Sequence, residues 1–314
     1  MFLTKVLILG LAALAAAHPG HEEEEKNQAI AVRSTMAANK RALDNCAASL
    51  GKRGIHSAAA ERRQAEVARQ RRAKRSLVER RNTTDVLAKD HKGSLNGQTA
   101  IDDELYVFND TQCTVLNPEG EVGPFYVPGE YIRSDLREKE PGVEIVIDAQ
   151  FIDINTCEPI QTDENGVVQF VSVFPGHYSG RTNHMHVVFH TDATVLPNGT
   201  LTGGNVPHIG QFFWDQDLID EIEATAPYNT NTQSVTLNSE DHVFGAQETE
   251  GSDSDPVFSY VYLGDGVTEG LFTWIVIGIN TSASYTPTYS FELTEGGGVA
   301  VNGSNGGGPG GPPS

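Results

Sequence analysis

The feature that most constrains this chain is a break in charge near residue 95. Of its 22 Lys and Arg, only Arg133, Arg137, Lys139 and Arg181 lie beyond that point, although most of the 42 Asp and Glu do. The 314 residues therefore hold two unlike parts: a basic N-terminal arm and an acidic body. The body alone is long enough to close a core of its own.

The arm reads as helix. Residues 22–80 lack proline, are rich in Ala, Glu, Arg and Lys, and space Leu43, Cys46 and Leu50 helically. Two helices are expected, broken near Gly51 to Gly54. The basic run 69–75 carries no aromatics to stack bases, which argues against nucleic acid. It reads as a solvated helix face turned toward the acidic body. From about Gln112 apolar residues begin to alternate. Strands are expected at 143–154 (one bent strand or a pair), 167–174, 185–189, 259–263 and 271–279, with one helix over 215–224. Many short strands with few helices predict a mainly β body, a β-sandwich or barrel. The tail from Glu295 is Gly, Asn, Ser and Pro and predicts disorder.

Residues 1–17 combine Lys5, a short apolar run and Ala15-Ala16-Ala17, which predicts a secretory signal peptide and a secreted, extracellular product. No other stretch is apolar enough to cross a membrane. The expected organisation is a signal peptide at 1–17, the helical arm at 18–95, the β body at 96–294 and the tail at 295–314. Sequons at Asn82, Asn109, Asn198, Asn280 and Asn302 suit a glycosylated surface. The three cysteines, Cys46, Cys113 and Cys157, leave one thiol over.

The chemistry concentrates in 175–190. His184 and His186 stand two apart at a strand start, so both imidazoles face one side, within reach of one metal. Tyr178 precedes a Gly-containing turn and can bring a phenolate to the same point. Phenolate is a hard, charged donor that favours trivalent iron over zinc. Arg181 is one of four cations in an acidic body and suits an anionic intermediate.

At these residues the sequence resembles a known family. Gly-His-Tyr-Ser-Gly-Arg-Thr-Asn-His-Met-His, 176–186, resembles the iron-site signature of the intradiol ring-cleavage dioxygenases, in particular their secreted fungal members. Residues 114–126 resemble the family's entrance motif and 143–159 its first core strand. Residues 210–214 and Pro227-Tyr228 resemble later landmarks, and 46–63 resembles the extension of the secreted members. The resemblance implies a β-sandwich with a mononuclear non-haem Fe(III), a catechol-type phenolic as substrate and O2 as co-substrate. It implies Tyr178, His184 and His186 as iron ligands. Arg181 would stabilise charge on the substrate, and Tyr126 would line the catechol pocket. The product would be a muconate-type diacid.

The chain departs from that pattern at one place. The family's first ligand tyrosine, a central strand and, in the secreted members, a cysteine belong between Ile160 and Gln161. The resemblance thus implies an internal deletion, unpaired edges on the strands beside it, and the odd thiol. Two functional readings stay open: a ferric dioxygenase short of one ligand, or a secreted module that binds aromatic or polyphenolic ligands without turnover.

Overall fold

The computed structural model describes residues 22–78, 94–95, 98–99, 113–120, 123, 126–127, 129, 131–160, 162, 166–247, 254–287, 289, 291–294 and 296–300. The expected signal peptide, Asn82, Asn109, Asn302 and residues 301–314 lie outside them.

The arm consists of α1 (Glu22–Lys52) and α2 (Ile55–Val78), broken where the sequence places the break. The body runs β1 (Glu144–Asp153), β2 (Val167–Val173), β3 (His184–Thr191), β4 (Asn205–Phe213), α3 (Gln216–Glu223), α4 (His242–Gln247), β5 (Ser259–Tyr262) and β6 (Leu271–Ile279). The hairpin β7 (Phe291–Thr294) and β8 (Gly297–Ala300) follows. The stretch 143–154 is thus one strand, not a pair.

β1 is the middle of the larger sheet. β6 pairs with it in parallel and β2 antiparallel, and β5 flanks β6. Period two gives β1 two faces. Ile145, Ile147, Ala149 and Phe151 enter the central core with Ile275 and Ile277 of β6. Val146 faces the other way and packs with Ala60 and Val67 of α2 beside Phe272 and Trp274. β3 and β4 form a second, two-stranded sheet, and its Phe189 and Phe212 join the same central core. The order of layers is therefore arm, large sheet, core, small sheet. Each large apolar side chain buried there contributes about 1.5–3 kcal/mol.

Docking of the arm explains the charge break. Arg62 and Arg63 both reach Asp148 of β1, whose side chain is 0% exposed. Arg63 also lies over the Trp274 ring at 5.9 Å. Further along, Arg71 donates to Tyr262 O at 2.8 Å and Lys74 to Glu269 O at 2.7 Å. Arg69 pairs with Glu66 on its own helix. The basic run is thus partly a docking face and partly a solvated one. A disulfide, Cys46–Cys157, ties α1 to the turn after β1, and Cys113 is the free thiol.

Two expectations need correction. The strands flanking the join at Ile160 and Gln161 were expected to keep unpaired edges. β1 is instead paired along both of its sides, because Ile160 N donates to Phe151 O and Phe151 N donates to Gly166 O, each at 2.9 Å. Ile160 and Gly166 thus meet on one residue, and pairing passes directly from Glu158–Pro159 to β2. β3, by contrast, has β4 as its only strand partner among the described residues. The second correction concerns the tail. Gly297–Ala300 pairs with Phe291–Thr294 in register, from Phe291↔Ala300 to Thr294↔Gly297. Gly297, at φ +103°, allows the tight reversal that a bulkier residue would resist.

β4 escaped the sequence reading. Its Pro207 and Gly210 are residues that argue against a central strand. The strand survives because Pro and Gly are tolerated where pairing is light. β3 covers one side, and on the other β4 meets isolated bridges, Glu119 at Ile209 and Val257 at Phe213.

Candidate metal centre

The site begins where a tight turn feeds β3. Tyr178 bridges Arg181 across that turn, with Arg181 N donating to Tyr178 O at 3.3 Å. Three residues later β3 starts, and its first and third side chains are His184 and His186. Cross-strand register sets Phe213 opposite His184 and Gln211 opposite His186.

Three donor atoms converge there. His184 Nε2 lies 3.1 Å from His186 Nε2 and 3.4 Å from the Tyr178 hydroxyl. The His184 ring is fixed from behind: its Nδ1 lies 2.6 Å from Thr182 O. A backbone carbonyl can only accept, so Nδ1 carries the proton and Nε2 is left with its lone pair turned into the cluster. Burial, then the nearby Arg181, pushes this ring down to about 4, so it stays neutral at physiological pH. A neutral imidazole is the ligating form. Tyr178 is 45% exposed, which leaves the cluster open to solvent on its side. Gly123 packs against the His186 ring.

Arg181 is 8% exposed and held on two sides. Its Nε donates to Asp241 Oδ2 at 2.8 Å and its Nη2 to Gln211 Oε1 at 2.5 Å. Asp241 also accepts from Thr182 N at 2.8 Å, and its other oxygen caps α4 through Val243 N and Phe244 N. Burial raises the Asp241 carboxyl. The hydrogen bonds from Phe244 N, Arg181 and Thr182 N together outweigh it and hold the group below the usual carboxylate range.

Of the residues singled out from the sequence, Tyr178, His184, His186 and Arg181 are brought together. Tyr126 meets β3 further on: its hydroxyl lies 3.3 Å from His190 Nε2, and it packs on the cluster of Val206 and Ile209. Sequence reasoning missed Asp241 and Thr182. The Asp241 signal was a capping one, an Asp directly before a short apolar helical run. Gln211 was noted only as a family landmark.

Among the described residues no group of three or more His, Cys, Asp or Glu gathers as a metal cluster. The convergent set here is two imidazoles and a phenol. Two imidazole nitrogens that face each other at 3.1 Å repel as bare lone pairs, so a proton or a metal must sit between them. Two neutral imidazoles with a phenolate suit iron, whose sites tolerate open positions. The residues present therefore fit a metal held from one side.

No family model matches the chain, and no curated protein does. Solved structures similar to it are intradiol ring-cleavage dioxygenases at low identity. An intradiol ring-cleavage dioxygenase from Tetranychus urticae aligns at 25% identity and a TM-score of 0.47, covering 55% of this chain and 98% of that one. The dioxygenase domain of a carbohydrate-binding fusion from Streptomyces sp. SirexAA-E aligns at 16% identity and a TM-score of 0.28, covering 53% and 97%. Catechol 1,2-dioxygenase from Acinetobacter sp. ADP1 aligns at 15% identity and a TM-score of 0.27, covering 57% and 68%. With similarity this low, the functional reading rests on the residues of the site.

Proposed function

We propose that this chain is an intradiol-dioxygenase-like protein that binds a catechol at a mononuclear ferric centre held by Tyr178, His184 and His186. The observation that carries the reading is the convergence of three donor atoms within 3.4 Å, with the His184 tautomer set by Thr182 O. When bound, ferric iron would supply the chemistry that lets a catechol ring react with O2.

The chain's own residues do the rest. Thr182 O keeps the Nδ1 proton of His184 away from the cluster, so Nε2 is presented unprotonated, with its lone pair free to ligate. Asp241 and Gln211 hold the Arg181 guanidinium rigidly beside β3, with the Asp241 carboxylate balancing its charge. The Tyr178 hydroxyl, half in solvent, would hold such an ion through its oxygen, with the phenol proton released to water.

The family's first ligand tyrosine has no counterpart here, and we read its absence as an internal deletion at Ile160 and Gln161. Binding of the ligand is therefore expected to outlast efficient turnover. The second reading, a module that binds aromatics without turnover, is favoured by that missing ligand. We also read the protein as secreted. The signal-like residues 1–17, the Cys46–Cys157 disulfide and the exposed sequon Asn198 support that.

The test is direct. Purified protein supplied with ferric iron should develop a tyrosinate-to-iron absorption band that Tyr178→Phe abolishes, and should take up oxygen when catechol is added. Iron binding with no oxygen uptake would favour the binding module. Protein that stays colourless and iron-free would sink the ferric reading.

A further inference from the structure

The cations of the body are few enough to follow individually. Beyond residue 95 there are four, and Arg181 alone stands at the candidate centre. Arg133 pairs with Glu138, and Arg137 pairs with Asp135 and Glu144. Lys139 belongs to the same stretch, which is hydrogen-bonded to β2 through Leu136 N and Val171 O. None of these three serves the Tyr178 turn.

Arg181 itself is not a free cation. Its Nε is committed to Asp241, whose side chain is 0% exposed, and Nη2 to Gln211. The pair cancels in charge at the one place where an anionic ring substituent would seek a partner. The surrounding wall adds no help. Residues 231–241 are fastened to the Tyr178 turn through Asn231 to His177 O, Ser179 to Gln233, Gly180 N to Thr236 and Thr182 to Asn238. That segment contains no Lys or Arg, ends in Glu240 and Asp241, and carries the exposed apolar side chains Val235 and Leu237. A carboxylate entering here would lose hydration with no uncommitted cation to replace it, since Asp241 already balances Arg181, whereas a neutral group avoids that cost.

We propose that Asp241 sets the substrate class of this site: by pairing with Arg181 it restricts the centre to catechols whose ring substituents are uncharged. The proposal rests on the catechol reading above. Asp241 is here a positioning and charge-balancing residue, not one that touches the reacting ring.

The experiment compares two ligands of equal shape and different charge, 3,4-dihydroxybenzamide and 3,4-dihydroxybenzoate. Equilibrium binding to the full, iron-supplied chain at pH 7 is read by quenching of intrinsic fluorescence. The amide should bind at least about tenfold more tightly, because the benzoate gives up hydration of its charge without gaining a counter-ion. Asp241→Asn should shrink that ratio about tenfold by freeing Arg181 for the benzoate, and Asp241→Glu should restore it. A wild type that binds the benzoate as tightly as the amide overturns the selectivity and leaves the catechol reading standing. A wild type that binds neither overturns both. An Asn variant that keeps the full ratio removes Asp241 from the explanation and overturns its role. Because Asp241 also caps α4, Asp241→Ser, which keeps a capping oxygen without the charge, is the second variant; it should shrink the ratio as Asn does, and a Ser variant that keeps the full ratio likewise overturns the role of Asp241.

Discussion

Gly123 lies flat against His186: a side-chain carbon on Gly123 would stand 2.8 Å from His186 Cε1, and the residue sits at φ +76°. Both facts exclude a larger residue, one by contact and one by backbone strain. Alanine here costs about 1–2 kcal/mol in conformation alone. It must also push the imidazole off the Tyr178 and His184 donors. Gly123→Ala should therefore weaken iron binding at least about tenfold, in the range seen when a ligand's supporting contacts are lost. Far-ultraviolet circular dichroism should stay unchanged. Metal titration followed by visible absorption checks it, and an unchanged affinity would show that His186 is not a ligand.

Asp148 and Arg63 form the buried joint between arm and body, at 3.2 Å, with side chains 0% and 1% exposed. Removing one partner leaves a charge in the core. Asp148→Ala should destabilise the protein by roughly 3–5 kcal/mol, measured by urea unfolding. Replacing Arg62, Arg63 and Asp148 together with apolar residues should cost much less, because no charge is stranded. Equal losses in the two variants would contradict this account.

His208 on β4 faces the core, opposite Phe189, with Nε2 lacking a hydrogen-bond partner. Burial pushes its ring down from 6.5 to about 4. The unfolded ring takes a proton near its ordinary value and the folded ring resists until about 4. The stability it contributes is therefore full above pH 6.5 and is lost as pH falls toward 4, by roughly 3 kcal/mol. His208→Leu should flatten that part of the profile when urea midpoints are compared at pH 7, 5.5 and 4.5.

Cys46–Cys157 spans a sequence separation of 111 residues. Closing so long a loop constrains the unfolded chain strongly, so Cys46→Ser should cost roughly 2–5 kcal/mol. Cys113 packs beside that disulfide, against Leu43, Val115 and Ile154 as well, and burial pushes its thiol up to about 12. It should resist iodoacetamide at pH 8 in the native protein and react on unfolding, which mass spectrometry reads directly.

What was legible in the sequence was local. His184 and His186 share a face because strands have period two, and Tyr178 meets them because a glycine-bearing turn precedes the strand. The arm was legible from helical spacing and the absence of proline. Asp241 was not, since it reaches Arg181 from 60 residues away and long-range pairing leaves no period to read. β4 hid behind Pro207 and Gly210. Tyr126 was assigned to the pocket by resemblance, and its hydroxyl meets His190 further along β3. The hairpin at 291–300 was masked by a composition that suits tails and tight turns equally.

The parallel pairing of β1 with β6, Ile145 against Leu271 through Asp153 against Ile279, also orders events in time. The arm leaves the ribosome first, yet two of the surfaces it docks on, Phe272 and Trp274, are among the last parts of the body to be made. Synthesis and assembly thus run in opposite directions along this chain. Such distant pairing is slow to form. Until 271–279 has emerged, Ala60, Val67 and Arg63 lack Phe272 and Trp274, and a nascent chain stopped before β6 has a basic arm with only part of its seat.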